Sequence, residues 1–172
     1  MMTPTKKPAT ATGQPPVQRS KIKIERTYRA SLGDVWALWT TKEGLESWWG
    51  PEGFSVQVHH LDLRVGGRLE LVMTTAVPEI VAMLKAGGMG PSQSLVCTYI
   101  ELETNQRLVY QNTVDFVPGV PPYRATTRVE LTPVPGGTRL AVTNDVMHDA
   151  EWTERARMGW EQEIGKLEKA LA

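Results

Sequence analysis

From Leu45 to Met73 the chain reads LESWWGPEGFSVQVHHLDLRVGGRLELVM, and no other stretch restricts the fold as much. It gives the end of a short helix, a Gly-Pro break, a strand, a Gly-Gly turn and a second strand. Two large indoles, Trp48 and Trp49, stand where the helix hands over to the sheet, which points to an apolar space bordered by both. Adjacent helical residues diverge by about 100°. One ring is therefore expected to face that space, and its neighbour to pack outside it or lie exposed. In the hairpin, a three-residue loop at 66–68 sets Leu63 opposite Leu71, Leu61 opposite Met73 and Val65 opposite Leu69. A two-residue turn would set Leu71 opposite Asp62, so hydrophobic register favours the longer loop. The same register brings Arg64 opposite Glu70 on the other face. Apolar parity slips between Val58 and Leu61, and a bulge near His59 and His60 accounts for it.

Order is expected to begin at Lys21, where Lys-Ile-Lys-Ile-Glu-Arg-Thr-Tyr alternates as a half-buried strand does. Residues 1–20 hold four prolines and almost nothing to bury, and predict a disordered leader to a single domain over 21–172. Ser31 with Asp34 three residues on makes a capping-box start, and Val35, Leu38 and Trp39 follow at helical spacing. Gly44 and the Gly50-Pro51 pair bound a second short helix. After the hairpin come strands at Ser94–Leu102, Arg107–Thr113, Tyr123–Leu131 and Thr138–Val146. About seven strands on short connections are mostly antiparallel. Between the third and fourth, 77–90 reads as an inserted helix from Pro78 to Gly87-Gly88, either a cap on the core or a lid over a cavity. Most helices are structural, which favours the cap. The last element is a helix capped by Asp149, with Ala156, Trp160, Ile164 (or Glu163), Leu167 and Leu171 on one apolar face. Roughly 22 residues give a rod of about 33 Å, enough to cross a whole sheet.

Acidic and basic residues balance at 19 each, but Lys6, Lys7 and Arg19 are the only charges up to Ser20. The slightly acidic remainder suits no nucleic-acid backbone, which needs clustered cations. A lone cysteine, Cys97, excludes an internal disulfide and a multi-cysteine zinc site. No apolar run is long enough to span a membrane. A cytoplasmic location is the expectation.

Three stretches carry a family resemblance: Trp48-Trp49-Gly50-Pro51 with Gly53-Phe54, then Asp62-Leu63-Arg64-Val65-Gly66-Gly67-Arg68, and Gly159-Trp160 in the final helix. Together they resemble the family named after the activator of the ninety-kilodalton heat-shock chaperone's ATPase, over about Lys21 to Leu171. That family shares the helix-grip, START-like fold with birch-pollen-allergen-type proteins and polyketide cyclases. The resemblance implies an α+β molecule. A curved antiparallel sheet of about seven strands would wrap a long C-terminal helix, with two short helices after the first strand and a tunnel between sheet and helix. It also implies that Trp160 and the Trp48-Trp49 corner line the tunnel, with Trp39, Phe54, Tyr99, Tyr110 and Met158 as further candidates. The 77–90 insertion departs from the family pattern. The chaperone activators carry a separate N-terminal domain for which this chain has no room, so the family name is not read as an activity.

His59 and His60 look like a metal pair, but strand neighbours point to opposite faces, and one other histidine, His148, is too few for a ligand set. His60, facing inward, would hydrogen-bond a ligand. Asp62 and Glu70 fall on the face opposite the leucines, where Arg64 and Arg68 neutralise them. Gln111, Asn112 and Asn144 are strand amides able to orient a polar ligand group in an apolar tunnel. No phosphate loop, serine elbow or activated cysteine appears. The expectation is a binder of a hydrophobic or amphipathic small molecule, with no catalytic residue, cofactor or metal. One alternative is a cyclase, aromatase or lyase using the same cavity with Tyr99, Tyr110, His60 or Gln111. Another is a module that stimulates a chaperone partner's ATPase. Free sheet edges leave a homodimer open.

Overall fold

Alternation in Lys21–Tyr28 turns Ile22, Ile24 and Tyr28 to one side, and this strand, β1, is one outer edge of a seven-stranded antiparallel sheet. In the computed structural model, which describes residues 21–172, the other strands are β2 (Phe54–Leu61), β3 (Arg68–Thr75), β4 (Ser92–Glu103), β5 (Arg107–Val114), β6 (Tyr123–Val134) and β7 (Gly137–Asp145). The expected leader, 1–20, lies outside the described residues. Sheet order is β1-β7-β6-β5-β4-β3-β2. The first two strands in sequence thus occupy opposite edges. Two short helices, α1 (Leu32–Thr40) and α2 (Lys42–Trp48), carry the chain from one edge to the other.

Both helices start where their caps dictate. Ser31 Oγ accepts the N–H of Asp34 at 3.1 Å, and Thr41 Oγ1 accepts that of Gly44 at 3.0 Å. Gly44 does not bound α2, as its type suggested, but lies inside it. A Cβ there would stand 2.3 Å from the carbonyl oxygen of Ala37, so the glycine is required by the close crossing of α1 and α2. Trp48 ends α2 and Trp49 is its C-cap, with φ −62° and ψ 147°. That turn out of helical geometry separates the paired indoles, and both are buried, Trp48 by packing into the core. Trp48 packs against Trp39 with ring centroids 4.4 Å apart and planes tilted by 54°, and donates its Nε1 hydrogen to Leu38 O at 2.7 Å.

The β2–β3 hairpin also differs from its expected register. Strand β2 stops at Leu61, which pairs with Leu69, while Val58 pairs with Leu71 and Val56 with Met73. Residues 62–67 form a loop that turns to a third strand: Gly66 N–H donates to Tyr99 O at 2.8 Å and Tyr99 N–H to Gly67 O at 3.0 Å. Leu63 and Val65 are left exposed. The Arg64–Glu70 pair is replaced by two others, Arg64 with Asp62 at 2.8 Å and Arg68 with Glu70 at 3.1 Å. The bulge falls at His59, as the parity slip required, and a second interrupts β4 at Ile100. Bulges bend a strand and raise its twist.

Helix α3 (Pro78–Ala86) occupies the insertion and buries none of its side chains. The long helix α4 (Ala150–Ala170) starts at its Asp149 cap, which accepts Trp152 N–H at 2.7 Å. Its buried residues, Glu163, Ile164 and Leu167, all belong to its second half. Ile164 and Leu167 join Val35, Trp39, Leu45, Trp48, Leu69, Leu71, Val129, Leu140 and Val142 in one core.

Gly44→Ala is expected to lower stability by about 2 kcal/mol or more, since backbone and not a mobile side chain blocks the added methyl. Urea denaturation checks this. An unchanged midpoint would mean that α1 and α2 cross at a greater distance.

Candidate functional site

The Trp49-Gly50-Pro51 corner can form because Gly50 adopts φ +90°, which favours glycine. Its peptide groups are gripped by α4 from both sides. Glu163 Oε1 accepts Gly50 N–H at 2.9 Å, and Lys166 Nζ donates to Gly50 O at 2.9 Å. One turn-spacing on the helix thus supplies an acceptor and a donor to one residue. Next to it, Glu52 N–H donates to Gln162 Oε1 at 3.1 Å. These contacts seat the second half of α4. The first half, without a buried residue, spans the sheet and leaves a cavity of about 320 Å³ beneath it.

The sheet floor under that span carries a polar row. Strand register aligns Ile22, Asn144, Thr127, Tyr110 and Tyr99 across β1, β7, β6, β5 and β4. Four adjacent polar side chains cross an otherwise apolar face. Thr127 Oγ1 donates to Asn144 Oδ1 at 2.6 Å, a length that suits O–H···O better than N–H···O. That bond commits the Thr127 hydrogen and fixes the Asn144 amide. Asn144 Nδ2, Tyr110 Oη and Tyr99 Oη are then buried without a protein partner. Burial pushes the Tyr110 hydroxyl pKa well above its ordinary value; the Cys97 thiol adds to the rise, the neighbouring Thr127 hydroxyl opposes it, and the Glu163 carboxyl adds a smaller rise. Cys97 is also buried, and desolvation raises its thiol to about 12, so it is no nucleophile.

Of the residues singled out from sequence, Trp49, Tyr110 and Trp160 line the cavity. Trp49 bridges them, 5.8 Å from Tyr110 and 6.3 Å from Trp160. Trp39 and Trp48 stand behind this layer as fully packed core, with Trp39 6.4 Å from Trp160. Tyr99 lies in the floor row beside Tyr110 but does not reach the cavity wall. Asn112 and Asn144 face the cavity. Gln111, between two inward residues, points to the opposite face and donates to Thr126 at 3.2 Å. His60 is exposed at the β2 edge, Phe54 is half-buried beside α3, and Met158 faces solvent on the outer side of α4. These last four are not brought to the cavity.

The residue sequence reasoning left undecided is Glu163. Spacings of three and four from Trp160 fit both Glu163 and Ile164, and the structure buries both. Glu163 lines the cavity, and desolvation raises its carboxyl to about 7, partly offset by the Gly50 N–H and by Lys166. A group poised there can accept or donate a proton near neutrality. At the cavity mouth, Tyr123 Oη meets His148 Nδ1 at 2.9 Å, and Arg155 lies 5.1 Å over the Trp152 ring. Among the described residues no group of three or more His, Cys, Asp or Glu is placed to hold a metal. No helix among them is long and apolar enough to cross a membrane.

The model of the family described as Activator of Hsp90 ATPase homolog 1-like protein matches residues 29–172. Among solved structures, a protein from Chromobacterium violaceum is similar at 24% identity and TM-score 0.73, covering 88% of this chain and 96% of that one. A protein from Nitrosomonas europaea shares 26% identity at TM-score 0.65, over 88% of this chain and 93% of its own. The AHSA1 protein from Silicibacter pomeroyi shares 20% at 0.68, over 88% and 97%. No curated protein matches the chain significantly.

The Glu163 shift has a signed consequence. The folded state holds this proton up to about pH 7, against an ordinary value of 4.5. The stability it contributes is therefore complete below about pH 4.5 and is lost as pH rises to about 7. At about 1.4 kcal/mol per unit, the loss is on the order of 3 kcal/mol. Glu163→Gln keeps an acceptor for Gly50, so its melting temperature should exceed the parent's at pH 8, and the two should converge near pH 5. Parallel melting curves across that range would contradict the burial of this carboxyl.

Proposed function

The chain belongs to the Activator of Hsp90 ATPase homolog 1-like family, and on that premise we propose that it binds an amphipathic small molecule in the cavity beneath α4. Small-molecule sites are concave, mostly apolar and furnished with a few polar groups, and about 300 Å³ is the lower end of their usual size. The cavity here meets that description: Trp49, Trp160, Met73 and Leu95 supply apolar wall, and Asn144, Tyr110 and Glu163 supply the polar points.

Gly159 is the observation that carries the reading. It lies inside α4 and lines the cavity, and a Cβ built on it meets nothing within 4 Å. Glycine inside a helix costs about 1 kcal/mol relative to alanine. No close approach requires it here, unlike at Gly44. What its missing side chain supplies is room directly over the polar floor.

A second reading, catalysis in the same cavity, draws support from Glu163 alone, a buried carboxyl near neutrality facing Tyr110. Of the four residues that sequence reasoning offered for that role, Tyr110 lines the cavity and Tyr99 lies beside it in the floor row, while His60 and Gln111 point elsewhere.

Gly159→Ala should raise stability by about 0.5–1 kcal/mol through helix propensity. Gly159→Phe should fill the cavity. Native mass spectrometry of gently purified protein is expected to show adducts of a few hundred daltons on the parent and on Gly159→Ala, and none on Gly159→Phe. A bare mass for all three, with cell extract added back, would overturn the proposal.

A further inference from the structure

The floor of the cavity says what kind of polar group its occupant carries. Buried polar atoms in folded proteins nearly always have partners, yet Asn144 Nδ2 and Tyr110 Oη, on side chains 5% and 2% exposed, have none in the protein. Both side chains line the cavity. The first is an obligatory donor. The second is a hydroxyl close enough to Thr127 for that side chain to perturb it, but Thr127 has given its hydrogen to Asn144 Oδ1 and no hydrogen bond of normal geometry joins the two hydroxyls. Register sets these residues on alternate strands of one row, with Thr127 between them. The unmet demand in this part of the site is for an acceptor.

The charges nearby narrow the class. A ligand carboxylate would satisfy both donors, but the cavity wall already carries the carboxyls of Glu163 and Asp145, and the Lys21 ammonium beside it is committed to Asp145. The sole cationic side chain lining the cavity, Arg155, sits at the mouth, where Glu151 holds it in an ion pair. An ammonium group would find Glu163 but leave Asn144 Nδ2 unmet.

We propose, resting on the binding function above, that the occupant is an uncharged, largely apolar molecule whose carbonyl-type oxygen accepts hydrogen bonds from Asn144 and Tyr110. Its apolar body lies along Trp49 and Trp160 under the opening at Gly159. Ketones, quinones, lactones and esters share this chemistry.

Three probes of one skeleton test it: methyl naphthyl ketone, ethylnaphthalene and naphthoate, titrated against the full chain by NMR. The ketone is expected to bind about tenfold or more tightly than the hydrocarbon, the margin of one to two hydrogen bonds, and more tightly than the acid. Tyr110→Phe removes only an unbonded hydroxyl and should fold normally. With Asn144→Leu as a second variant, each should cut the ketone's advantage several-fold. Equal binding of ketone and hydrocarbon would overturn the carbonyl assignment while leaving the cavity a binding site, its donors serving water alone. Tightest binding by naphthoate would overturn it in favour of an anion site. Failure of all three to bind would sink the binding function and this inference with it.

Discussion

The grip of α4 on Gly50 is the contact from which the rest of the architecture follows. Glu163 and Lys166, three residues apart, take the N–H and the carbonyl of one glycine whose positive φ lets the chain turn from α2 into β2. That turn carries Trp49 out of helical geometry and under Trp160. Helix, corner and sheet are therefore registered at one place. Because the seat lies in the second half of α4, the first half is held as a beam over the middle strands, with Ala156 and Trp160 only partly buried against the core. The hollow beneath it results from where the helix is fastened.

The materials around that hollow conflict, and the conflict is informative. Behind it, the tilted Trp39–Trp48 pair and the leucines of β3 and β7 form a dry core in which each polar tip is either absent or bonded, as Trp48 is to Leu38, apart from the Trp39 Nε1. In front of it, one cross-strand row places three unpartnered polar atoms where aliphatic side chains would pack. Each such atom costs about 1–3 kcal/mol relative to a satisfied one. A carboxyl raised to about 7 and a helix-interior glycine with empty space above it add to the same side. Several of these departures gather around one cavity, although Tyr28 Oη and Arg107 Nε lack a hydrogen-bond partner elsewhere and Gly165 of α4 leaves similar open space away from it. Such departures from packing rules cluster at functional sites.

Much of this was legible in the chain itself. All seven strands were located, the first by its alternation and the last four by the turn-rich connections between them, and the caps Ser31 and Asp149 marked two helix starts. What was missed turns on contacts that no local pattern encodes. The β2–β3 loop was assigned a register from two strands, but Gly66 and Gly67 bond to Tyr99 on a third. Gly44 looks like a helix boundary and is instead a crossing point. Strand β5 hid its own parity. Val109 is buried on the outer face, between Glu101 and Arg128, so Leu108-Val109-Tyr110 reads apolar throughout, and the inward choice between Gln111 and Asn112 cannot be made from it. Helical spacing likewise left Glu163 and Ile164 as equals, and the cavity's one buried carboxyl was hidden in that ambiguity.

Amide hydrogen exchange along α4 reads most directly whether the helix is fastened at one end and free-standing at the other. Amides of Glu154–Met158 should exchange at least about tenfold faster than those of Ile164–Glu168, and a cavity ligand should slow the first group selectively. Equal protection along the whole helix would mean that its first half packs on the sheet as firmly as its second. The space under it would then be closed.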